Sequence, residues 1–225
     1  MAMTRKRWLA IAAIGAPLLA AAVGFHTPAG RALLGGGSGC PWGEAPPSAA
    51  KLEELRVKSA EALKVAGAAR ATSRPAFGFV LDRSTRADVT TWAAKAGATC
   101  SDELGGGALR CELGELNTTE ESGVSVRDAF FRFDPRGVIV GIDLMRDGTD
   151  GAKAAAVLTS ISGRIAREAG PPSAVQGTAD PAHLGGYLDR AATEFRFADY
   201  AADVSATNLG ERGIVVREQY RSIPN

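Results

Sequence analysis

Trp8 to Phe25 runs eighteen residues without a charge, directly after the basic cluster Arg5-Lys6-Arg7. As a helix at about 1.5 Å per residue it would reach roughly 27 Å, close to the thickness of a bilayer's hydrocarbon core. Trp8, Leu9, Ile11, Ile14, Leu18, Leu19, Val23 and Phe25 supply its bulk. Basic residues stay on the cytoplasmic side, so the N-terminus is expected inside and the rest of the chain outside. A cleaved signal peptide is the rival reading, with Ala20-Ala21-Ala22 as the small-residue cleavage site. A buried soluble helix is a third, and its flanks argue against it. Under either targeting reading, residues from about 26 onward are extracytoplasmic: membrane-anchored and periplasmic, or secreted if cleavage occurs. A lipoprotein variant would use Cys40 after Gly37-Ser38-Gly39. No leucine stands three residues before that cysteine, and Arg31 interrupts the approach.

An exported chain folds where disulfides persist. Cys100 and Cys111 lie eleven apart and flank the acidic, glycine-rich stretch 101–107. A hairpin closed there would join them, and the link would contribute roughly 3 kcal/mol through loop entropy. Cys40 is left over, to be lipidated, paired with another chain or free.

Residues 1–25 form the anchor or signal. Residues 26–47 hold six glycines and four prolines and read as a tether. A helix is expected over 48–70, capped by Ser48, with Leu52, Leu55, Ala62, Leu63 and Ala66 on one face and a Glu54–Lys58 pair away from it. Phe77 to Leu81 is a short extended piece. Thr85 caps a second helix with Asp88 as its acidic partner, Val89, Trp92, Ala93 and Ala96 form the apolar face, and Gly97 ends it.

Strands follow at 108–113, 129–133 and 138–144, the last two joined by the turn Asp134-Pro135-Arg136-Gly137. Val138, Val140, Ile142 and Leu144 are expected on one face. A third helix opens at Thr149 or Asp150, with Ala154, Val157, Leu158, Ile161 and Ile165 as its stripe, and stops at Gly170-Pro171-Pro172. Residues 173–189 read as irregular, and strands return at 191–198, 200–207 and 213–221.

The order helix, strand, strand, strand thus occurs twice, over 76–146 and 149–221. Arg136-Gly137-Val138-Ile139-Val140 is echoed by Arg212-Gly213-Ile214-Val215-Val216. The expected class is α+β: helices packed on antiparallel sheet in two tandem units, after an N-terminal transmembrane or signal helix. The apolar entry piece, the helix start Thr85-Arg86-Ala87-Asp88-Val89 and the meander resemble the small outer-membrane assembly lipoproteins of the BamE/SmpA type. A tandem copy resembles the architecture of the beta-lactamase inhibitory protein family. The resemblance spans about 76–221 and implies a protein that binds other proteins through loops and a sheet face.

The chain has 26 basic and 25 acidic residues; three of the basic ones precede the apolar run, leaving 23 against 25. Such balance lacks the footprint of a nucleic-acid binder. No catalytic, metal or cofactor residues are assigned. His183 alone could serve a Ser-His-Asp or Cys-His site, and reads as a solvated loop residue. Asp143, Asp147 and Asp150 do not match a calcium loop, and Asp150 reads as a helix cap. Gly105-Gly106-Gly107 lacks the lysine and helix of a phosphate loop. The leading expectation is a non-catalytic module that binds an unknown envelope protein, through the exposed sheet face and the loops at 101–107, 114–127 and 173–189. The alternative is an envelope enzyme acting on cell-wall polymer or peptide. It would need converging carboxylates with shifted pKa values, and Glu112, Asp128 and Asp143 standing apart in solvent would remove it. A structural spacer is the third reading.

Overall fold

A computed structural model describes residues 48–65, 68–113 and 124–224. The segment Trp8–Phe25, the 26–47 tether, Cys40 and residues 114–123 of the polar loop lie outside them. Among the described residues no helix is long and apolar enough to cross a membrane.

Helix α1 (Ala49–Glu61) starts where Ser48 accepts a hydrogen bond from the Lys51 amide, 3.3 Å, and Lys58 reaches Glu54 at 2.7 Å. It stops well short of the expected residue 70. The chain beyond it is held by residues far along the sequence: Ala198 N–H donates to the Ala69 carbonyl (2.9 Å), Ala71 N–H to the Asp199 side-chain Oδ1 (3.0 Å) and Thr72 N–H to the Ala169 carbonyl (3.1 Å). These bonds override helical propensity.

A small hairpin follows, β1 (Pro75–Ala76) and β2 (Phe79–Val80), turned by Phe77 (φ 54°) and Gly78 (φ 76°). Two successive positive φ values suit a tight hairpin, but the first is costly for phenylalanine. The Phe77 ring is held edge-on against Trp92, 5.7 Å between centroids. Helix α2 (Arg86–Ala96) carries the expected capping box between Thr85 and Asp88 and ends on left-handed Gly97. Helix α3 (Gly151–Ala169) is capped by Asp150, which accepts from the Lys153 amide at 2.8 Å; its expected apolar stripe is buried.

One antiparallel sheet of eight strands organises the rest: β3 (Thr99–Glu103), β4 (Ala108–Glu112), β5 (Asp128–Phe133), β6 (Ile139–Thr149), β7 (Ala174–Gln176), β8 (Arg190–Arg196), β9 (Tyr200–Asn208) and β10 (Ile214–Ser222). Their spatial order is β3-β4-β5-β6-β10-β9-β8-β7. Four strands follow each of α2 and α3, where three were expected. The sequence Thr-Cys-Ser-Asp-Glu of β3 has no apolar alternation to reveal it, and β7 is three exposed residues paired to β8 inside the segment expected to be irregular.

A second correction concerns β6. Arg132 pairs with Gly141, but its neighbour Phe133 pairs with Ile139, so β6 carries an extra residue there. This bulge breaks the alternation. Ile139, Ile142 and Leu144 enter the core, whereas Val140 turns to the opposite face.

Helices α2 and α3 cover one side of the sheet. Val157, Ile161 and Ile165 of α3 share a single core with Phe131, Ile142, Phe195, Val204, Val216 and Tyr220. Trp92 of α2 makes edge-to-face contacts with Phe79 and Phe131 at 5.8 and 5.5 Å. The same side also buries a charged pair. Arg146 and Glu218, on the paired central strands, are fully buried and bonded to each other. Tyr220 Oη donates to Glu218 at 2.5 Å, and Arg146 Nε donates to the Val124 carbonyl at 3.0 Å. Arg164 of α3 comes within 3.9 Å of Glu218.

Candidate functional site: the charged sheet face

The pleat that sends Val216, Glu218 and Tyr220 into the core sends Val215, Arg217, Gln219 and Arg221 to the other side. Asp203 and Ser205 of β9, Asp143 and Met145 of β6, and Phe130 and Arg132 of β5 lie on that same side. Among the described residues no helix comparable to α3 lies along it. Its charges are instead tied together in plane.

Asp143 is the hub. Arg221 Nη2 donates to its two oxygens at 3.2 and 3.0 Å, Arg217 Nη2 reaches it at 3.2 Å, Gln219 Nε2 at 2.5 Å, and Arg132 Nη1 also bonds it. Burial alone would raise the Asp143 carboxyl, but Arg221, Arg132, Gln219 and Arg217 outweigh it and hold it below the usual carboxylate range. Burial lowers the Arg221 guanidinium; Asp143 opposes that shift, and the neighbouring Arg132 and Arg217 add to it. Arg132 also stacks on the Phe130 ring, 5.0 Å from its centroid.

Two further groups flank the hub. Arg110 donates to Asp128 Oδ1 at 3.1 and 2.8 Å. Arg196 bridges Glu194 (3.1 Å) and Asp203 (2.6 Å) and donates to the carbonyls of Phe195 and Ala202. A surface tied in this way holds its side chains in fixed geometry before any ligand arrives.

One end of this face lies under α1. Between them is a cavity of about 830 Å³, floored by Arg132, Gly141, Gln219 and Arg221 and roofed by Leu52, Leu55, Arg56 and Leu63. The β3–β4 turn closes one side. Arg86 fixes that turn by bonding Asp102 and the Gly106 carbonyl while its guanidinium lies over Phe133 at 4.7 Å, so the triglycine tip is anchored. Leu52 of α1 packs where a side chain on Gly107 would project, 3.5 Å from that point.

Cys100 and Cys111 are direct register partners on β3 and β4, with their sulfurs at disulfide distance. Asp143 and Asp147 lie within β6 and so do not line a turn; Asp147 pairs with Arg127, and Asp150 caps α3. Among the described residues no three potential metal ligands cluster. His183 Nε2 lies 3.1 Å from the Arg190 carbonyl, so its ring is tied to the start of β8. Glu112 is exposed, but Asp128 and Asp143 are neither solvent-facing nor isolated: each is nine-tenths buried and held by arginine.

The sequence singled out none of the hub's arginines. The alternation Arg217, Gln219, Arg221 marks a polar stripe, yet its focus, Asp143, is joined to it only by strand register. Comparison with known proteins gives no matching family model, no matching curated protein and no matching solved structure.

Proposed function

We propose that this chain is a non-catalytic, extracytoplasmic module of the bacterial envelope that binds another protein through its charged sheet face. The N-terminal apolar segment would hold it at the membrane. The observation that carries the reading is the asymmetry of the sheet: α2 and α3 cover one side, and the other presents a broad, cross-bonded array of arginines and carboxylates with Phe130 and Met145 among them. Arginine and aromatic side chains in fixed positions suit protein recognition. The lowered pKa of Asp143 disfavours it as a general acid, so the enzyme reading gains nothing from the hub.

The reading also takes 76–146 and 149–221 as two similar units, in keeping with the resemblance to tandem inhibitory proteins. In support, the strand order is mirrored about the β6–β10 pair, and the echoed glycines Gly137 and Gly213 both take positive φ (78° and 75°) just before those strands.

A photo-crosslinking residue at Met145, in the full chain in native membranes, tests the surface. The reading expects a discrete adduct from Met145 and none from the same residue placed at Glu168 on α3. Adducts from Glu168 alone would reverse the assignment.

A further inference from the structure

We propose that the cavity beneath α1 is a binding site for a small organic anion: a carboxylate carried on an apolar body. This goes beyond the protein-binding reading and does not rest on it.

Charge is the first argument. Arg132, Arg217 and Arg221 all converge on Asp143. Among the described residues no other carboxylate lies within ion-pair distance of any of the three, so the cluster sets one carboxylate against three guanidiniums, two of which, Arg132 and Arg221, line the cavity; the carboxylates that also line it, Glu53, Asp134 and Asp203, are engaged by Arg56, Arg136 and Arg196. The neighbouring groups differ: Arg110 has Asp128, and Arg196 has both Glu194 and Asp203. Partly buried guanidiniums that repel one another gain most from a second anion, and their planar forks match a carboxylate.

Shape is the second. Arg132 and Arg221 are on the cavity floor, while Leu52, Leu55 and Leu63 make an apolar roof. Leu55 of that roof is 48% exposed, an apolar side chain open to solvent above a charged floor. A volume of about 830 Å³ falls within the range of about 300–1,000 Å³ common for small-molecule sites. An inorganic anion would leave the leucines unused, and a neutral apolar molecule would leave the arginines unanswered.

The test is calorimetric titration of the full chain in lipid nanodiscs, with empty discs as the blank. The probes are 4-phenylbutyrate, its neutral amide 4-phenylbutanamide, and acetate. The expected result is that phenylbutyrate binds, the amide binds about tenfold or more weakly, and acetate shows no heat, since a charge-assisted hydrogen bond of about 1.5–3 kcal/mol separates the first two. Arg132→Gln should weaken phenylbutyrate about tenfold by the same reasoning, and Arg132→Lys should recover part of the loss. Arg167→Gln, exposed on α3 and away from the cavity, should leave binding unchanged. Leu55→Asp, at a half-exposed roof position, should abolish binding without touching the arginines. Equal binding of acid and amide, no heat with phenylbutyrate across the millimolar range, or indifference to both Arg132→Gln and Leu55→Asp would overturn the proposal.

Discussion

Two arginine–carboxylate clusters sit back to back on the same central strands. On the core side, Arg146 and Glu218 are sealed beneath α3 at 0% exposure. On the open side, Arg132, Arg217 and Arg221 crowd Asp143 within reach of solvent. The first is matched and enclosed; the second is overcharged and accessible. Desolvation makes the first a matter of stability, whereas the second costs less to hold and is available for recognition.

Breaking the core pair should have the largest effect. Arg146→Met leaves the Glu218 carboxylate buried with only the Tyr220 hydroxyl and the more distant Arg164 among the described residues. The expected cost is about 3–5 kcal/mol, read as a fall in the urea midpoint, and the double change Arg146→Met with Glu218→Leu should recover most of it. Equal losses in the single and double variants would show that the pair is not the source. Next comes the edge of the sheet. Cys100→Ser should lower stability by about 3 kcal/mol and abolish the mobility difference between reduced and non-reduced samples on a gel.

The open hub should respond less, and with a pH signature. Asp143→Asn is expected to cost about 1–3 kcal/mol at neutral pH. The folded pKa of Asp143 is lowered from 3.8, so its contribution is fully present above that value and is lost as pH falls through the lowered one. Denaturation midpoints of wild type and Asp143→Asn should therefore converge as the solution is acidified below pH 3.8. A constant gap across pH would contradict the hub's electrostatic role. The smallest change is local: Thr85→Ala removes the α2 cap at a cost of about 1 kcal/mol and should leave both clusters intact.

The core side was far more legible in the sequence than the open side. The stripe of α3, the strand at 129–133, the caps at Thr85 and Asp150 and the turn at Gly137 are local signals, and each is met. The failures arise where distant residues decide. Residues 69–72 bond to the β8–β9 turn and to the end of α3, far along the chain, which cuts α1 short. The bulge at 139–141 inverts Val140, and β3 pairs through backbone despite a polar sequence. The hub is the extreme case. Its four charged residues come from three strands, and only a register spanning both halves of the chain brings Arg132 and Arg221 to one carboxylate.

Charge reversal on the open face tests the binding claim most directly. Full-length tagged chains carrying Arg217→Glu, or Arg167→Glu on α3 as the control, would be recovered from gently solubilised native membranes and the co-purifying protein quantified against wild type. Arg217 is half exposed, so the fold should survive its change. The account predicts that Arg217→Glu loses a stoichiometric partner that Arg167→Glu retains. Retention by Arg217→Glu with loss by Arg167→Glu would move the interface to the helical side and contradict it.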